Sequence, residues 1–154
     1  MSRAFVKETD NVDVLPNRPV SAHPNLVTPE GLAAIEHAID RLGAAHADAL
    51  TSGDNAAIAA VARDLHYWTA RRASAQVVAP PADAEKDTVQ FGSTVTVRRG
   101  DGREQTFRIV GEDEAEPAIG TLSYVSPLAR ALFGKKVGDA AEVAGGEVEI
   151  LRIG

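Results

Sequence analysis

The chain has 154 residues, enough for one ordinary domain or for a small domain with an extended appendage, and too few for two full-sized domains. Its formal net charge of -6 argues against direct binding of nucleic acid, since phosphate contacts need clustered lysine and arginine. The lack of cysteine excludes disulfides and thiolate metal sites. No segment has the apolar length of a signal peptide or a membrane span, so we predict a cytoplasmic protein without membrane contact.

Residues 1–25 are predicted to form an extended or disordered tail. They contain three prolines among polar residues and show no sustained apolar period. Five apolar residues are nevertheless sufficient to anchor this tail as a strap against the folded part: Phe5, Val6, Val12, Val14 and Leu15.

Residues 26–79 are predicted to form an antiparallel helical hairpin, a short coiled coil. Thr28-Pro29-Glu30 is a helix start, and the apolar residues of the first arm are Leu32, Ile35, Ile39 and Leu42, continued by Ala45, Ala49 and Leu50. Gly53 ends this helix and Asp54 or Asn55 caps the next one, whose seam residues are Ile58, Val61, Leu65 and Trp68. Each arm has about 20 residues and a length of roughly 30 Å.

Residues 80–87 read as a charged linker, and the apolar period changes to two in residues 88–154. Val89, Phe91, Val95 and Val97 predict a first strand, and Phe107, Ile109 and Val110 its partner after a glycine turn. Further strands are predicted over 121–125, 140–143 and 148–153, with one short helix at Leu128, Ala131 and Leu132. The chain is therefore predicted to be α+β, with four or five mostly antiparallel strands in its second half.

Four motifs in this half occur in the order found in one protein family. They are Phe91-Gly92-Ser93, the segment 108–114 (R-I-V-G-E-D-E), the segment 126–139 (S-P-L-A-R-A-L-F-G-K-K-V-G-D) and the segment 145–149 (G-G-E-V-E). Together they resemble the C-terminal domain of the bacterial GreA/GreB transcription elongation factors. The first half is similar more loosely, through segments 27–31 and 75–78.

The resemblance implies an FKBP-like C-terminal domain that docks at the secondary channel of RNA polymerase. It also implies a hairpin that enters the channel, where acidic residues at its tip help hold Mg²⁺ and stimulate cleavage of backtracked RNA. Such carboxylates suit Mg²⁺, which prefers hard oxygen ligands. The partner implied is RNA polymerase, and the protein itself is not an enzyme and carries no cofactor.

The hairpin tip departs from the family pattern. The family turn reads approximately G-D-x-S-E-N-A-E-Y, whereas this chain has Gly53-Asp54-Asn55 followed by two alanines. One aspartate remains and the glutamate is absent, and the arms are shorter by several turns of about 5.4 Å each. We therefore predict polymerase binding without transcript cleavage; in the alternative, Asp54 suffices for cleavage. A simple helix cap is the structural interpretation of Asp54.

The resemblance places polymerase contacts on the Ser-Pro turn and its helix. The candidates are Val125, Ser126, Pro127, Arg130 and Lys135, with Val125 standing where the family usually has Asn or Asp. In the structural alternative, Ser126 and Pro127 only start a helix and the lysines complement its dipole.

Three other features receive structural interpretations. The acidic residues Glu112, Asp113, Glu114 and Glu116 are predicted to form a solvated loop, and the spacing of the four histidines predicts no metal site. Tyr67 and Trp68 are assigned to the helical seam and its flank. An FKBP-like prolyl isomerase remains a third functional alternative, which needs an aromatic-lined pocket. The hairpin can bury its own seam, so we expect a monomer.

Overall fold

Two helices joined by a tight turn follow an irregular segment in the computed structural model, which describes residues 16–154. The first, α1, spans Pro29–Ser52, and the second, α2, spans Asn55–Ser74. The hydroxyl of Thr28 accepts the N–H of Gly31 at 3.0 Å and so caps α1, as the Thr-Pro-Glu pattern predicts. The apolar residues at positions 5–15 that were proposed as strap anchors lie outside the described residues.

The buried side chains of α1 form one stripe along the helix. They are spaced three, four and seven residues apart, as expected for one helical face, at Ile35, Ala38, Leu42 and Ala49. The predicted seam residues of α2 are each half-buried: Ile58, Val61, Leu65 and Trp68. The inclusion of Leu50 in the seam was wrong, since this side chain is 55% exposed. Between the helices, Arg72 Nη2 lies 3.7 Å from Glu36 Oε1.

A short parallel pairing joins the residues before α1 to those after α2. Strand β1 spans Leu26–Val27 and strand β2 spans Gln76–Val77. The N–H of Gln76 donates to the carbonyl of Asn25 at 2.8 Å, and the N–H of Val78 donates to Val27 at 2.9 Å. The sequence does not predict this pairing, because two-residue strands are too short to show a period.

A five-stranded sheet with one short helix follows. Its strands are β3 (Thr94–Arg99), β4 (Glu104–Val110), β5 (Thr121–Ser123), β6 (Ala140–Val143) and β7 (Gly146–Ile153), in the order β5-β4-β3-β7-β6. All neighbouring strands are antiparallel except β4 and β5. Helix α3 spans Pro127–Leu132, between β5 and β6. The predicted α+β fold, a helical hairpin followed by a mostly antiparallel sheet with a short helix, is confirmed.

The first strand of this sheet begins later than predicted. Val89 and Phe91 were assigned to it, but β3 starts at Thr94. Gly92 lies between, with a positive φ of 85° that interrupts extended backbone and that glycine adopts most readily. Val89 and Phe91 are still buried, at 2% and 8% exposure. The apolar period of two therefore indicated that these side chains are buried, and not that they lie in a strand.

The core of the sheet lies on the face that packs against α3. Its buried members from the strands alternate along each strand: Val95, Val97, Phe107, Ile109, Ala141, Val148 and Ile150. From α3, Ala129 and Leu132 are fully buried in the same cluster. The core thus fixes α3, and with it the Ser-Pro turn, on the sheet.

The described residues divide into two compact units. One comprises residues 16–22 and 33–75, and the other comprises residues 23–32 and 76–154. The first residues of α1 therefore group with the sheet and with the β1–β2 pairing. Among residues 16–154, no helix combines the length and apolar character that crossing a membrane requires.

Candidate functional site

The Ser-Pro turn forms the start of α3. Ser126 has extended backbone, and its hydroxyl accepts the N–H of Ala129 at 3.3 Å, the geometry of a helix cap. Pro127 is the first helical residue, where its missing N–H leaves no hydrogen bond unmade. The N–H of Ser126 in turn donates to the carbonyl of Ser123 at 3.0 Å. The local sequence therefore determines where this helix begins.

The same helix has one buried face and one exposed face. Ala129 and Leu132 are fully buried, whereas Pro127 and Arg130 are exposed. These two exposed residues are three positions apart, so they are neighbours on the helix surface. Val125 and Ser126 are half-buried at the start of the helix. The structure thus brings four of the five predicted contact residues together.

The fifth, Lys135, lies beyond the end of α3 and has a structural role through its backbone. Its carbonyl accepts the N–H of Val89 at 2.9 Å, and the N–H of Gly134 donates back to Val89 at 2.9 Å. Val137 follows with its side chain 57% exposed. Val137 is not among the contact residues predicted from the sequence. It follows two lysines and precedes Gly138-Asp139, and no strand or helix period there predicts that its side chain is buried.

The hairpin tip is an ordinary capped turn. Gly53 has a φ of 71°, in the left-handed region, and its N–H closes α1 on the carbonyl of Ala49 at 3.0 Å. Asp54 Oδ1 accepts the N–H of Ala57 at 3.2 Å and caps α2. Asp54 thus has the geometry of a helix cap, which is its structural interpretation, and this role needs no metal. The described residues include no group of three or more histidine, aspartate or glutamate side chains able to hold a metal ion.

The acidic run is not the solvated loop that we predicted. Glu114 is half-buried, and its carboxylate accepts hydrogen bonds from the N–H of Thr28 at 3.0 Å, from the Thr28 hydroxyl and from the N–H of Gly111 at 3.1 Å. A Cβ built at Gly31 would collide with this carboxylate, and one at Gly111 with the carbonyl of Leu26. We call Thr28, Gly31, Gly111 and Glu114 the Glu114 junction. It joins the start of α1 to the turn after β4.

Comparison with known proteins finds a family match for the second half of the chain. Residues 84–154 match the family model "Transcription elongation factor, GreA/GreB, C-term". Over this segment the chain is similar to the C-terminal domain of the GreA/GreB transcription elongation factors. The resemblance drawn from the sequence motifs is confirmed, and residues 84–154 are called the Gre domain below.

The curated relatives match at high identity over part of their length. GreB of Neisseria meningitidis serogroup A is 47% identical over 77 residues, covering 50% of this chain and 47% of that protein. GreA of Hyphomonas neptunium is 58% identical over 57 residues, covering 36% of each. The chain thus spans about half the length, or less, of the curated relatives that it matches.

Solved structures give a weaker likeness that covers most of the chain. GreA factor homolog 1 of Thermus thermophilus is 16% identical with a TM-score of 0.40, covering 86% of this chain and 99% of that one. A GreA/GreB factor from Nitrosomonas europaea is 19% identical with a TM-score of 0.40, covering 85% and 98%.

The unit of residues 23–32 and 76–154 has a cavity of about 300 Å³ beside the sheet, but it lacks an aromatic lining. Its walls are Glu30, Pro80, Pro81, Lys86, Gly92, Ser93, Thr94, Arg108, Ile153 and Gly154. The pKa of Glu30 is lowered by a backbone hydrogen bond and, to a smaller extent, by Arg108, whose Nη2 lies 3.5 Å from Oε2.

The aromatic side chains of the Gre domain are engaged elsewhere. Phe91 and Tyr124 pack edge to face with ring centroids 5.5 Å apart, and the Tyr124 hydroxyl donates to the carbonyl of Pro24. Phe107 is buried in the core and Phe133 packs against it. No observation on the described residues therefore favours the prolyl isomerase alternative.

Proposed function

We propose that this protein is a Gre-type transcription factor that binds RNA polymerase through the exposed side of α3. The contact residues are Val125, Ser126, Pro127, Arg130 and Lys135, with Val137 added from its exposure in the structure. The proposal places the protein in the bacterial cytoplasm and gives it no active site of its own.

One observation carries the proposal. The Gre family match runs through the whole Ser-Pro segment, and there Pro127 and Arg130 are exposed although nothing in the cap or the core requires either side chain. Exposed residues on a helix held by a packed core can make contacts with a partner without a cost in folding. A docking role accounts for the exposed side chains of Pro127 and Arg130, whereas Ser126 also caps the helix.

We further propose that the hairpin supplies no catalytic carboxylates. Asp54 is the only acidic residue of the tip and accepts a backbone hydrogen bond there, and the following residues are Asn55, Ala56 and Ala57. A Mg²⁺ ion prefers several hard oxygen ligands, which this donor set does not offer. The protein would then act on transcription by occupying its site on the polymerase.

The docking proposal is tested by binding to immobilised core RNA polymerase. We expect wild type to bind, and Pro127→Ala and Arg130→Ala each to weaken binding by about tenfold, the effect of removing one interface contact worth more than 1 kcal/mol. Pro117→Ala is the matched control, because Pro117 is also an exposed proline at the start of a short helical turn. Absence of binding at any ionic strength would overturn the proposal.

A cleavage assay decides between the proposal and its alternative. The protein is added to backtracked elongation complexes with Mg²⁺, and release of short 3′ RNA fragments is measured. We expect binding without fragment release. Mg²⁺-dependent release that Asp54→Ala abolishes, in a variant that still binds, would establish the alternative of an active cleavage factor.

A further inference from the structure

The segment Pro16–Ser21, here called the N-terminal strap, contacts one face of α2. Arg18 Nη1 lies 3.1 Å from Asp64 Oδ1, and its Cζ lies 4.0 Å from the centroid of the Tyr67 ring and 6.0 Å from that of Trp68. One residue pair adds a backbone contact, since Arg63 Nε donates to the carbonyl of Pro16 at 2.8 Å. Arg18 therefore contributes side-chain contacts that hold the strap to the helix, beside the backbone contact of Pro16.

The three residues that receive Arg18 form a single patch. Tyr67 and Trp68 follow Asp64 by three and four positions along α2, so each is a neighbour of Asp64 on the helix surface. The two rings meet edge to face, with centroids 5.1 Å apart and planes at 87°. Within the strap contact, the Arg18 side chain is 32% exposed and that of Asp64 is 42% exposed. The larger part of the Arg18 side chain is thus covered in this contact.

This combination selects a guanidinium group. A carboxylate accepts its N–H donors, and an aromatic ring attracts its planar cation through the ring face. A lysine ammonium can do either but presents a compact, strongly hydrated charge, so it gains less from stacking on a ring. The chemistry of the patch therefore matches arginine better than any other side chain.

We propose that Asp64, Tyr67 and Trp68 form a guanidinium-binding site on the hairpin, and that Arg18 of the same chain is its ligand. The N-terminal strap then acts as a latch with two states. In the closed state Arg18 occupies the site and covers the aromatic pair. In the open state Arg18 has left, and an arginine-specific surface is exposed on α2. The inference does not depend on polymerase binding, because each contact lies within the unit of residues 16–22 and 33–75.

The fluorescence of Trp68 reports on the latch directly, since the chain contains one tryptophan. We expect Arg18→Ala to shift the equilibrium between closed and open strap roughly 5- to 30-fold toward the open form, the factor that corresponds to losing one or two weak contacts. Collisional quenching of Trp68 by acrylamide should rise accordingly. Arg18→Lys should give an intermediate value.

Two controls distinguish opening of the strap from a general loss of folded structure. Arg41→Ala removes an exposed arginine from α1 in the same unit, and its quenching should equal that of wild type. Helix content from circular dichroism should be the same for all variants. If Arg18→Ala leaves the quenching of Trp68 unchanged, or raises it only together with a loss of helix, the proposal is overturned.

Addition of the ligand in trans tests the binding site itself. A peptide of residues 16–22 is added to the full-length Arg18→Ala protein, and the quenching of Trp68 is followed. We expect saturable protection that returns toward the wild-type value, and none with the same peptide carrying alanine in place of arginine. Equal protection by both peptides, or by neither, would contradict an arginine-specific site.

Discussion

Glu114 joins Thr28 through both oxygens of its carboxylate. Oε2 accepts the N–H of Thr28 at 3.0 Å and Oε1 accepts its hydroxyl, while that hydroxyl also accepts the N–H of Gly31 at 3.0 Å. Thr28 thus caps α1 through its hydroxyl and at the same time joins the start of α1 to Glu114. The acidic run, which carries this carboxylate, therefore holds the first turn of α1 within the unit of residues 23–32 and 76–154.

Removal of the Glu114 carboxylate should destabilise the protein. Glu114→Ala leaves the N–H groups of Thr28 and Gly111 without an acceptor, which we expect to lower the free energy of unfolding by about 2–3 kcal/mol. Urea denaturation measures this change. Glu116→Ala, an exposed glutamate in the same run, should change it by less than about 0.5 kcal/mol. Equal effects of the two substitutions would mean that the Glu114 junction does not contribute to stability.

Two glycines of α1 should respond in opposite ways to alanine. At Gly43 an added Cβ meets nothing within 4 Å, so Gly43→Ala should stabilise the helix by about 0.5–1 kcal/mol through its propensity. At Gly31 the Cβ would collide with the Glu114 carboxylate, so Gly31→Ala should destabilise by about 1–3 kcal/mol. Thermal unfolding of the pair gives the comparison. Stabilisation by both alanines would show that the close approach at Gly31 is absent.

Asp54 should behave as a helix cap in stability measurements. Asp54→Ala removes the acceptor for the N–H of Ala57 and should cost about 1 kcal/mol, whereas Asp54→Asn keeps an acceptor oxygen and should be nearly neutral. Asp48→Ala, an exposed aspartate near the end of α1, is the control for loss of charge. A large loss of stability in Asp54→Asn would indicate that the carboxylate charge has a role beyond capping.

The turn between β3 and β4 should show a pH dependence centred on Asp101. Its pKa lies below the usual 3.8, first because the backbone N–H of Arg103 donates to Oδ1 at 3.0 Å, and then because the Arg103 side chain donates to Oδ2 at 2.7 Å. A lowered folded-state pKa gives stability that is fully present above 3.8 and is lost as the pH falls through the folded value.

NMR titration of the Asp101 carboxyl checks this directly. We expect a midpoint below 3.8 in the folded protein, and a midpoint closer to 3.8 in Arg103→Ala, which keeps the backbone donor but removes the side-chain donor. The stability advantage of wild type over Asp101→Asn should shrink as the pH falls through this range. A midpoint at or above the usual value would contradict the assigned contacts.

Local signals account for the parts of the fold that the sequence predicted well. The starts of α1, α2 and α3 follow from Thr28, Asp54 and Ser126, each of which caps a backbone N–H three residues later. The candidate contact residues came instead from the resemblance to the GreA/GreB family, and four of the five lie together because Val125 to Arg130 form one local unit. Errors arose where burial was read as strand structure, as at Val89 and Phe91 before β3.

By itself, the sequence determined the helical hairpin, the mostly antiparallel sheet, the helix boundaries and the Gre motifs, since caps, periods and turns act between residues a few positions apart. Only the tertiary structure decided the pairing of β1 with β2, the contact of Thr28 with Glu114 and the place of Arg18 over Tyr67. These partners are separated by 49 to 86 positions, and no local pattern in a single sequence specifies which distant groups will meet. The first two form because polar groups that folding removes from water need hydrogen-bond partners, and the third because an aromatic ring face attracts a cation.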